Sequence, residues 1–187
     1  MKNNNKFPKE ISSNVFVKYI DRSEIKGLVG SLGHTISKKY EGQELIILAI
    51  LKGSVIFLAD LVREVRNVNI KLDFVSVDSF GKDKEKETTI CFKKDIAIDI
   101  TDKHVLIVEE IIDTGRAVKF LIDRVKLNHP KSINLITLFD KPYKRTSNLS
   151  PDHIGKKIDD QFIVGYGLDL EEFGRNLEDI YFLKYPQ

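Results

Sequence analysis

Three acidic side chains and a glycine-containing turn directly follow an apolar run at residues 105–108. The acids are Glu109, Glu110 and Asp113, and the turn spans residues 113–115. Carboxylates bind Mg²⁺ and accept hydrogen bonds from ribose hydroxyls, whereas a turn that leads into a helix offers backbone N–H groups to a phosphate. The pattern therefore predicts a site that binds a sugar phosphate together with its metal. A structural explanation stays open at this point, because Asp and Thr are also common helix N-caps.

Apolar patterning along the chain predicts the elements that would position these residues. Strands of a buried sheet are uninterrupted apolar runs, and amphipathic helices have apolar residues three or four positions apart. Alternation of the two predicts an α/β fold with a mainly parallel, twisted sheet flanked by helices. The predicted strands are 44–51, 70–77, 105–109, 132–139, 161–166 and 180–183, and the predicted helices are 23–40, capped by Ser23, 55–65 and 117–127.

Parallel strands direct their carboxyl ends to one edge of a sheet, where α/β proteins bind ligands. Four predicted strand ends carry polar groups and are expected to meet at that edge. They are residues 51–53, 109–117, 140–142 and 162–169.

Composition limits the class of protein. The chain has 187 residues, 42% of them hydrophobic and 31% charged, and 30 basic against 28 acidic residues give a net charge of +2. We expect a polar N-terminal arm at residues 1–14 and a single domain at residues 15–187. The small net charge predicts no nucleic-acid partner, and no stretch approaches the ~18 apolar residues of a membrane span. With Cys91 as the only cysteine and no apolar signal sequence at the N-terminus, the interpretation is a cytoplasmic protein.

A polar segment interrupts the pattern between residues 78 and 104, with the charged run KDKEKETT at residues 82–89. Strand-like residues return near residues 90–92. Long polar segments inside a domain are commonly functional, so a lid over residues 81–92 is one interpretation. A solvated hairpin tip is the other.

The thirteen residues VLIVEEIIDTGRA, 105–117, resemble the phosphoribosyl diphosphate (PRPP) signature of type I phosphoribosyltransferases, and most closely that of the hypoxanthine-guanine branch. The resemblance extends over nearly the whole chain, from about residue 15 to residue 183. It implies the type I phosphoribosyltransferase fold, with a small hood formed by the terminal segments. The implied reaction converts hypoxanthine or guanine plus PRPP to the nucleoside monophosphate and pyrophosphate, with Mg²⁺ as cofactor. The implied partners are these small molecules and further copies of the chain in a homodimer or homotetramer.

The resemblance also assigns roles within the signature. Glu109 and Glu110 correspond to the acids that bind the ribose hydroxyls and the metal. Asp113 corresponds to the general acid–base that exchanges a proton with N7 of the purine. The 5′-phosphate would be bound by Thr114, Gly115, Arg116 and Ala117.

Roles outside the signature follow in the same way. Lys52 and Gly53 correspond to a pyrophosphate-binding turn whose Leu51–Lys52 peptide bond can be cis, and Arg175 to a second pyrophosphate-binding residue. Ser79 and Phe80 correspond to the base of a mobile lid. Lys141 would donate to the 6-oxygen of the purine, the ring of Phe162 would stack on it, and the carbonyl of Ile163 would face its edge. Asp169 corresponds to an acid of the purine subsite that is linked to a second metal.

Four residues depart from the family pattern. Phe80 replaces Tyr, and Glu110 replaces Asp. Ala117 stands where the family has Thr or Ser, and Gly174 stands where it has a bulky residue. Two alternatives to hypoxanthine-guanine transfer therefore remain, a xanthine-selective transferase and a non-catalytic sensor of PRPP or nucleotides. The presence of Asp113 and Lys141 argues against a sensor, which needs no acid–base for N7.

Overall fold

The computed structural model describes residues 16–80 and 89–183, and they form two sheets and three α-helices. The larger sheet has six strands in the order β4-β3-β2-β5-β6-β7, and every neighbouring pair is parallel except β3 with β4. This confirms the predicted α/β class. The elements are β1 Phe16–Ile20, α1 Arg22–Lys39, β2 Glu44–Leu51, α2 Ser54–Glu64, β3 Asn69–Phe80, β4 Thr89–Lys94, β5 His104–Ile112, α3 Arg116–Lys126, β6 Ser132–Asp140, a 3₁₀ turn Pro142–Lys144, β7 His153–Lys157, β8 Ile163–Val164 and β9 Ile180–Leu183.

The smaller sheet is the hood, which consists of the antiparallel strands β1, β9 and β8 in that order. It is built from terminal segments, as the family resemblance implied. The predicted strand 161–166 is therefore corrected, because only Ile163–Val164 is strand and it belongs to the hood. The polar groups that follow it reach the site from the hood and not from a strand end of the parallel sheet.

Two apolar clusters cover the two faces of the larger sheet. On one face, α1, α2 and the hood pack against alternate residues of the central strands, and on the other face α3 packs against the remaining ones. Strands β2 and β5 are consequently buried on both faces over most of their length, which explains the uninterrupted apolar runs at residues 45–51 and 105–108. Helix α1 is capped by Asp21, whose carboxylate accepts hydrogen bonds from the N–H groups of Ser23 and Glu24, so the predicted Ser23 cap was wrong by two residues.

Strand β5 is longer than its apolar run. It continues through Glu109 and Glu110 to Ile112, because pairing with β6 persists to the register Ile112–Asp140. The two glutamates therefore lie within a paired strand, and the turn begins only at residue 113.

Part of the predicted lid lies outside the described residues. Of residues 81–92, those at 89–92 are part of β4, paired with β3 through Thr89 and Phe80. Residues 81–88, the side chains of Ser79 and Phe80 and the predicted arm at 1–14 are not described, so the lid, the arm and the domain limits stay predictions. Within the described ranges, no helix has the length and apolar character that crossing a membrane requires.

The α1–α2 contact yields a stability prediction. A Cβ atom at Gly33 would lie 2.5 Å from Glu64 Cβ and 3.1 Å from its carbonyl carbon, whereas one at Gly27 of the same helix would meet nothing within 4 Å. We expect Gly33→Ala to lower the free energy of unfolding by about 1–3 kcal/mol through overpacking. Gly27→Ala should raise it by about 0.5–1 kcal/mol, because alanine favours the helix. Urea unfolding of both variants checks this, and equal effects would contradict the close helix contact.

Candidate active site

Three strand ends meet at one edge of the larger sheet, as predicted. β2 leads into residues 51–53, β5 into the turn at 113–115, and β6 into Lys141. The Leu51–Lys52 peptide bond is cis, as the family resemblance implied. A hood segment lies over this edge, since a Cβ atom at Gly167 would overlap the carbonyl oxygen of Gly53.

Glu110 lies on the face of β5 that contacts α2 and the hood. Its carboxylate is so close to Gly53 that a Cβ atom at that position would overlap it. The pKa of Glu110 is raised to about 7, chiefly by burial, with smaller opposing effects of the Arg175 guanidinium, which lowers it, and the Asp169 carboxylate, which raises it. Glycine at position 53 is thus required by the close approach of a buried carboxyl group.

Glu109 points to the opposite face of β5, as strand alternation demands. There it lines a cavity of about 150 Å³ together with residues 111–118. Burial, and then the neighbouring Glu110, hold the pKa of Glu109 well above its ordinary value.

Because folding raises the pKa of Glu110 from 4.5 to about 7, the folded state binds more protons than the unfolded state between these two pH values. The free energy of unfolding therefore falls as the pH rises through this interval.

The turn after β5 shapes this cavity. Gly115 has φ +77°, a left-handed conformation that favours glycine, and it directly precedes α3. The Arg116 N–H donates to the Thr114 hydroxyl at 3.4 Å, and Ala117 lines the cavity with them. The cavity thus lies at the amino terminus of an eleven-residue helix, where backbone N–H groups and the helix dipole favour an anion.

Asp113 lies between two lysines. Its Oδ1 is 3.4 Å from Lys141 Nζ, and its Oδ2 is 3.8 Å from Lys144 Nζ, which also pairs with Asp160 at 2.5 Å. The side chain of Lys141 is only 5% exposed and also donates to the Gln161 carbonyl at 2.7 Å, whereas that of Asp113 is 44% exposed. A buried cation therefore stands beside an accessible carboxylate.

Phe162 is the residue after Gln161 and directly precedes β8. Its side chain is 43% exposed, which is unusual for so large an apolar residue next to a buried strand. The next residue, Ile163, is buried in β8 and pairs with Phe182 of β9. The structure thus brings Lys141, Asp113 and the segment Gln161–Ile163 together on one side of the candidate site.

A second group of charges connects the β2 turn to the hood. Lys52 Nζ is 2.8 Å from Glu172 Oε1, and Arg175 Nη2 is 3.2 Å from Glu172 Oε2 and 2.7 Å from Asp169 Oδ1. Asp169 Oδ2 accepts the Glu172 N–H at 2.9 Å, and Arg175 Nη1 donates to the Gly167 carbonyl at 2.9 Å. The two predicted pyrophosphate-binding cations are therefore both paired with one carboxylate, that of Glu172.

The three predicted metal ligands are not brought together as a set. Glu109 and Glu110 lie on opposite faces of β5, and Asp169 is held by Arg175 and a backbone N–H. No group of three or more acidic, His or Cys side chains suited to a metal occurs among the described residues. However, Glu109 Oε2 and Glu110 Oε2 are buried without a hydrogen-bond partner in the described structure. Either oxygen offers one ligand to a Mg²⁺ ion that takes its remaining ligands from substrate and water.

Sequence reasoning missed two residues of the site and left one departure unexplained. The missed residues are Glu172, which pairs with Lys52 from 120 residues away, and Arg145, whose contacts with Asp140, Ile112 and Leu149 follow no local sequence pattern. Gly174, which departs from the family pattern, has φ +90°, and a Cβ atom there would overlap the side chain of Val164. Its positive φ requires glycine, a signal that the sequence carries only as an unusual residue.

Comparison with known proteins places this geometry in a family. The model of the phosphoribosyl transferase domain matches residues 19–171. A hypoxanthine-guanine phosphoribosyltransferase from Staphylococcus aureus is 35% identical over 165 residues, which cover 88% of this chain and 92% of that protein. Among solved structures, a hypoxanthine phosphoribosyltransferase from S. aureus has a TM-score of 0.88 at 32% identity, covering 95% of this chain and 98% of that one. A hypoxanthine-guanine phosphoribosyltransferase from Bacillus anthracis, with HEPES in its active site, has a TM-score of 0.85 at 38% identity and covers 90% and 99%. With its signature turn, its hood and these relatives, the chain belongs to the phosphoribosyl transferase family.

Proposed function

We propose that this protein transfers the 5-phosphoribosyl group of PRPP to hypoxanthine or guanine, with release of pyrophosphate. The observation that carries the proposal is the pairing of Lys141 Nζ with Asp113 Oδ1 at 3.4 Å beside the exposed ring of Phe162. The named activities of the relatives from S. aureus and B. anthracis support it.

The Lys141–Asp113 pair matches the edge of a 6-oxopurine. The 6-oxygen and N7 lie next to each other on that edge. Lysine donates to the 6-oxygen while the carboxylate faces N7, and Phe162 stacks on the ring. Adenine has a 6-amino group, a donor that would oppose the lysine, so it should be rejected.

The chemical step requires one proton transfer from the purine. N9 of the purine forms a bond to C1′ of the ribose as the bond from C1′ to pyrophosphate breaks, and the N7 proton passes to Asp113 as general base. The accessible side chain of Asp113 is suited to this role, and Lys141 and Lys144 hold it from either side.

PRPP would lie across the edge of the sheet. The 5′-phosphate binds the turn Thr114–Ala117, the ribose hydroxyls bind Glu109 and Glu110, and the pyrophosphate binds Lys52, Arg175 and the backbone at Gly53. Mg²⁺ would take one free carboxylate oxygen, from Glu109 or Glu110, and would neutralise charge on the leaving group. Exclusion of water by closure of residues near Ser79 and Phe80, a cytoplasmic location and assembly into dimers or tetramers remain predictions from the sequence.

The purine range is the first test of this function. We expect pyrophosphate release when PRPP and Mg²⁺ are mixed with hypoxanthine or guanine, and none with adenine. Xanthine as the best substrate would establish the xanthine-selective alternative. Tight PRPP binding without turnover of any purine would identify a sensor and contradict transfer.

Asp113→Asn tests the proton acceptor. Asparagine keeps the shape but cannot accept the N7 proton, so kcat should fall roughly 10²–10⁴-fold while PRPP affinity stays near that of the wild type. Asp160→Asn is the matched control, because Asp160 pairs with the same Lys144 but, in the described structure, forms no ion pair with Lys141. Its kcat should change little, and wild-type turnover in Asp113→Asn would refute the assigned role.

Glu172→Gln tests the pyrophosphate subsite. Since the Glu172 carboxylate pairs with both Lys52 and Arg175, pyrophosphate must displace it. Neutralising it should tighten pyrophosphate binding roughly two- to fivefold at low ionic strength, a modest gain because the pairs are largely exposed. Glu171→Gln removes the same charge one residue away and should have a smaller effect in calorimetry. Weaker pyrophosphate binding by Glu172→Gln, or equal effects of the two variants, would exclude displacement.

A further inference from the structure

The carbonyl oxygen of Thr114 accepts three hydrogen bonds from one neighbouring segment. The donors are the N–H of Thr146 at 3.2 Å, the N–H of Ser147 at 3.3 Å and the Ser147 hydroxyl at 3.0 Å. We call residues 145–149 the brace. Three donors on one carbonyl hold the peptide between Thr114 and Gly115 in a single orientation.

This orientation determines where the turn directs its donors. In a trans peptide the N–H points opposite to the C=O, so the N–H of Gly115 is directed away from the brace. Ser147 Oγ also lies 2.5 Å from the position of a Cβ atom on Gly115, so the brace closely contacts the outer side of the turn. The brace therefore supports the turn on one side, and the Gly115 N–H is directed to the other side, where an anion would bind.

Arg145 anchors the brace to the sheet. Its guanidinium forms an ion pair with Asp140, the last residue of β6, and both side chains are largely buried, at 11% and 4% exposure. The same guanidinium donates to the carbonyl of Leu149 at 3.4 Å and to that of Ile112, the last residue of β5, at 3.5 Å. One side chain thus joins the ends of two strands to the far end of the brace.

We infer that Arg145 is a positioning residue for the phosphate-binding turn. It holds the brace, the brace fixes the Thr114 carbonyl, and the turn is thereby set to bind the 5′-phosphate before the ligand arrives. The inference rests on the proposed function only for the identity of that ligand. Preorganisation of this kind favours binding of the sugar phosphate and leaves purine recognition at Lys141 unaffected.

The test separates a positioning role from a purely structural one. Arg145→Met leaves the Asp140 carboxylate buried without its partner, so its melting temperature should fall by roughly 6 °C or more. In the double variant Asp140→Asn/Arg145→Met the buried charge is gone, and most of the stability should return. The double variant still lacks the bonds to Leu149 and Ile112, so its affinity for ribose 5-phosphate, measured by calorimetry, should remain at least about fivefold below that of the wild type. Recovery of ribose 5-phosphate affinity together with stability would overturn the inference.

Ser147→Ala tests the same inference without disturbing the ion pair. Loss of the hydroxyl donor should raise KM for PRPP about two- to fivefold while KM for hypoxanthine stays constant. Ser150→Ala, an exposed serine just beyond the brace, is the matched control and should change neither constant. An unchanged KM for PRPP in Ser147→Ala would count against the brace.

The ribose 5-phosphate experiment needs no purine and no turnover. Failure of the proposed transfer activity would therefore be seen separately, as binding of ribose 5-phosphate without reaction of PRPP.

Discussion

Two adjacent, partly buried carboxyl groups at the end of the central strand β5, each with one buried oxygen, are the constraint on which the rest of the site depends. Strand alternation sends Glu109 toward α3 and Glu110 toward α2 and the hood, so each face must accommodate one of them. On the α2 side, glycine at position 53 leaves room for the carboxylate, and Arg175 supplies a nearby positive charge. On the α3 side, the turn at 113–115 leaves a cavity beside Glu109. Burial of such groups without partners is unfavourable, so these positions make physical sense chiefly as ligand-binding groups.

The charges that would meet substrate are already paired within the protein. Lys52 and Arg175 share the carboxylate of Glu172, and Lys141 stands between Asp113 and a backbone carbonyl. Such pairing holds long, flexible side chains near the geometry they need. Binding then exchanges one partner for another, which limits the ordering of side chains that association would otherwise require.

The sequence predicted most of the parallel sheet and the signature turn, because both depend on local patterns. Apolar runs identified β2, β5 and β6, and their order along the chain was enough to bring three strand ends together. Strand β7, residues His153–Lys157, was missed because it is short and polar. It lies at the edge of the larger sheet and is only partly buried, so it lacks the apolar run of a central strand. The extent of β5 was underestimated because pairing with β6, and not hydrophobicity, carries it past the glutamates.

What the sequence could not predict depends on contacts that no local pattern indicates. Arg145 follows the 3₁₀ turn Pro142–Lys144 in a segment with no periodicity, and its importance is visible only where the fold brings its guanidinium to Asp140, Ile112 and Leu149. The role of Glu172 likewise depends on Lys52, which lies 120 residues earlier in the chain. The family resemblance predicted that Lys52 and Arg175 share one subsite, and the structure brings both to Glu172, but the resemblance could not show that this carboxylate pairs with them.

The most direct test of the central claim is a crystal structure of the protein with bound GMP. The account predicts that the 5′-phosphate accepts hydrogen bonds from N–H groups of residues 115–117, and that Lys141 Nζ lies within about 3.2 Å of the 6-oxygen. N7 of the base should face Asp113. A phosphate bound between Lys52 and Arg175, or a base bound away from Lys141, would contradict it.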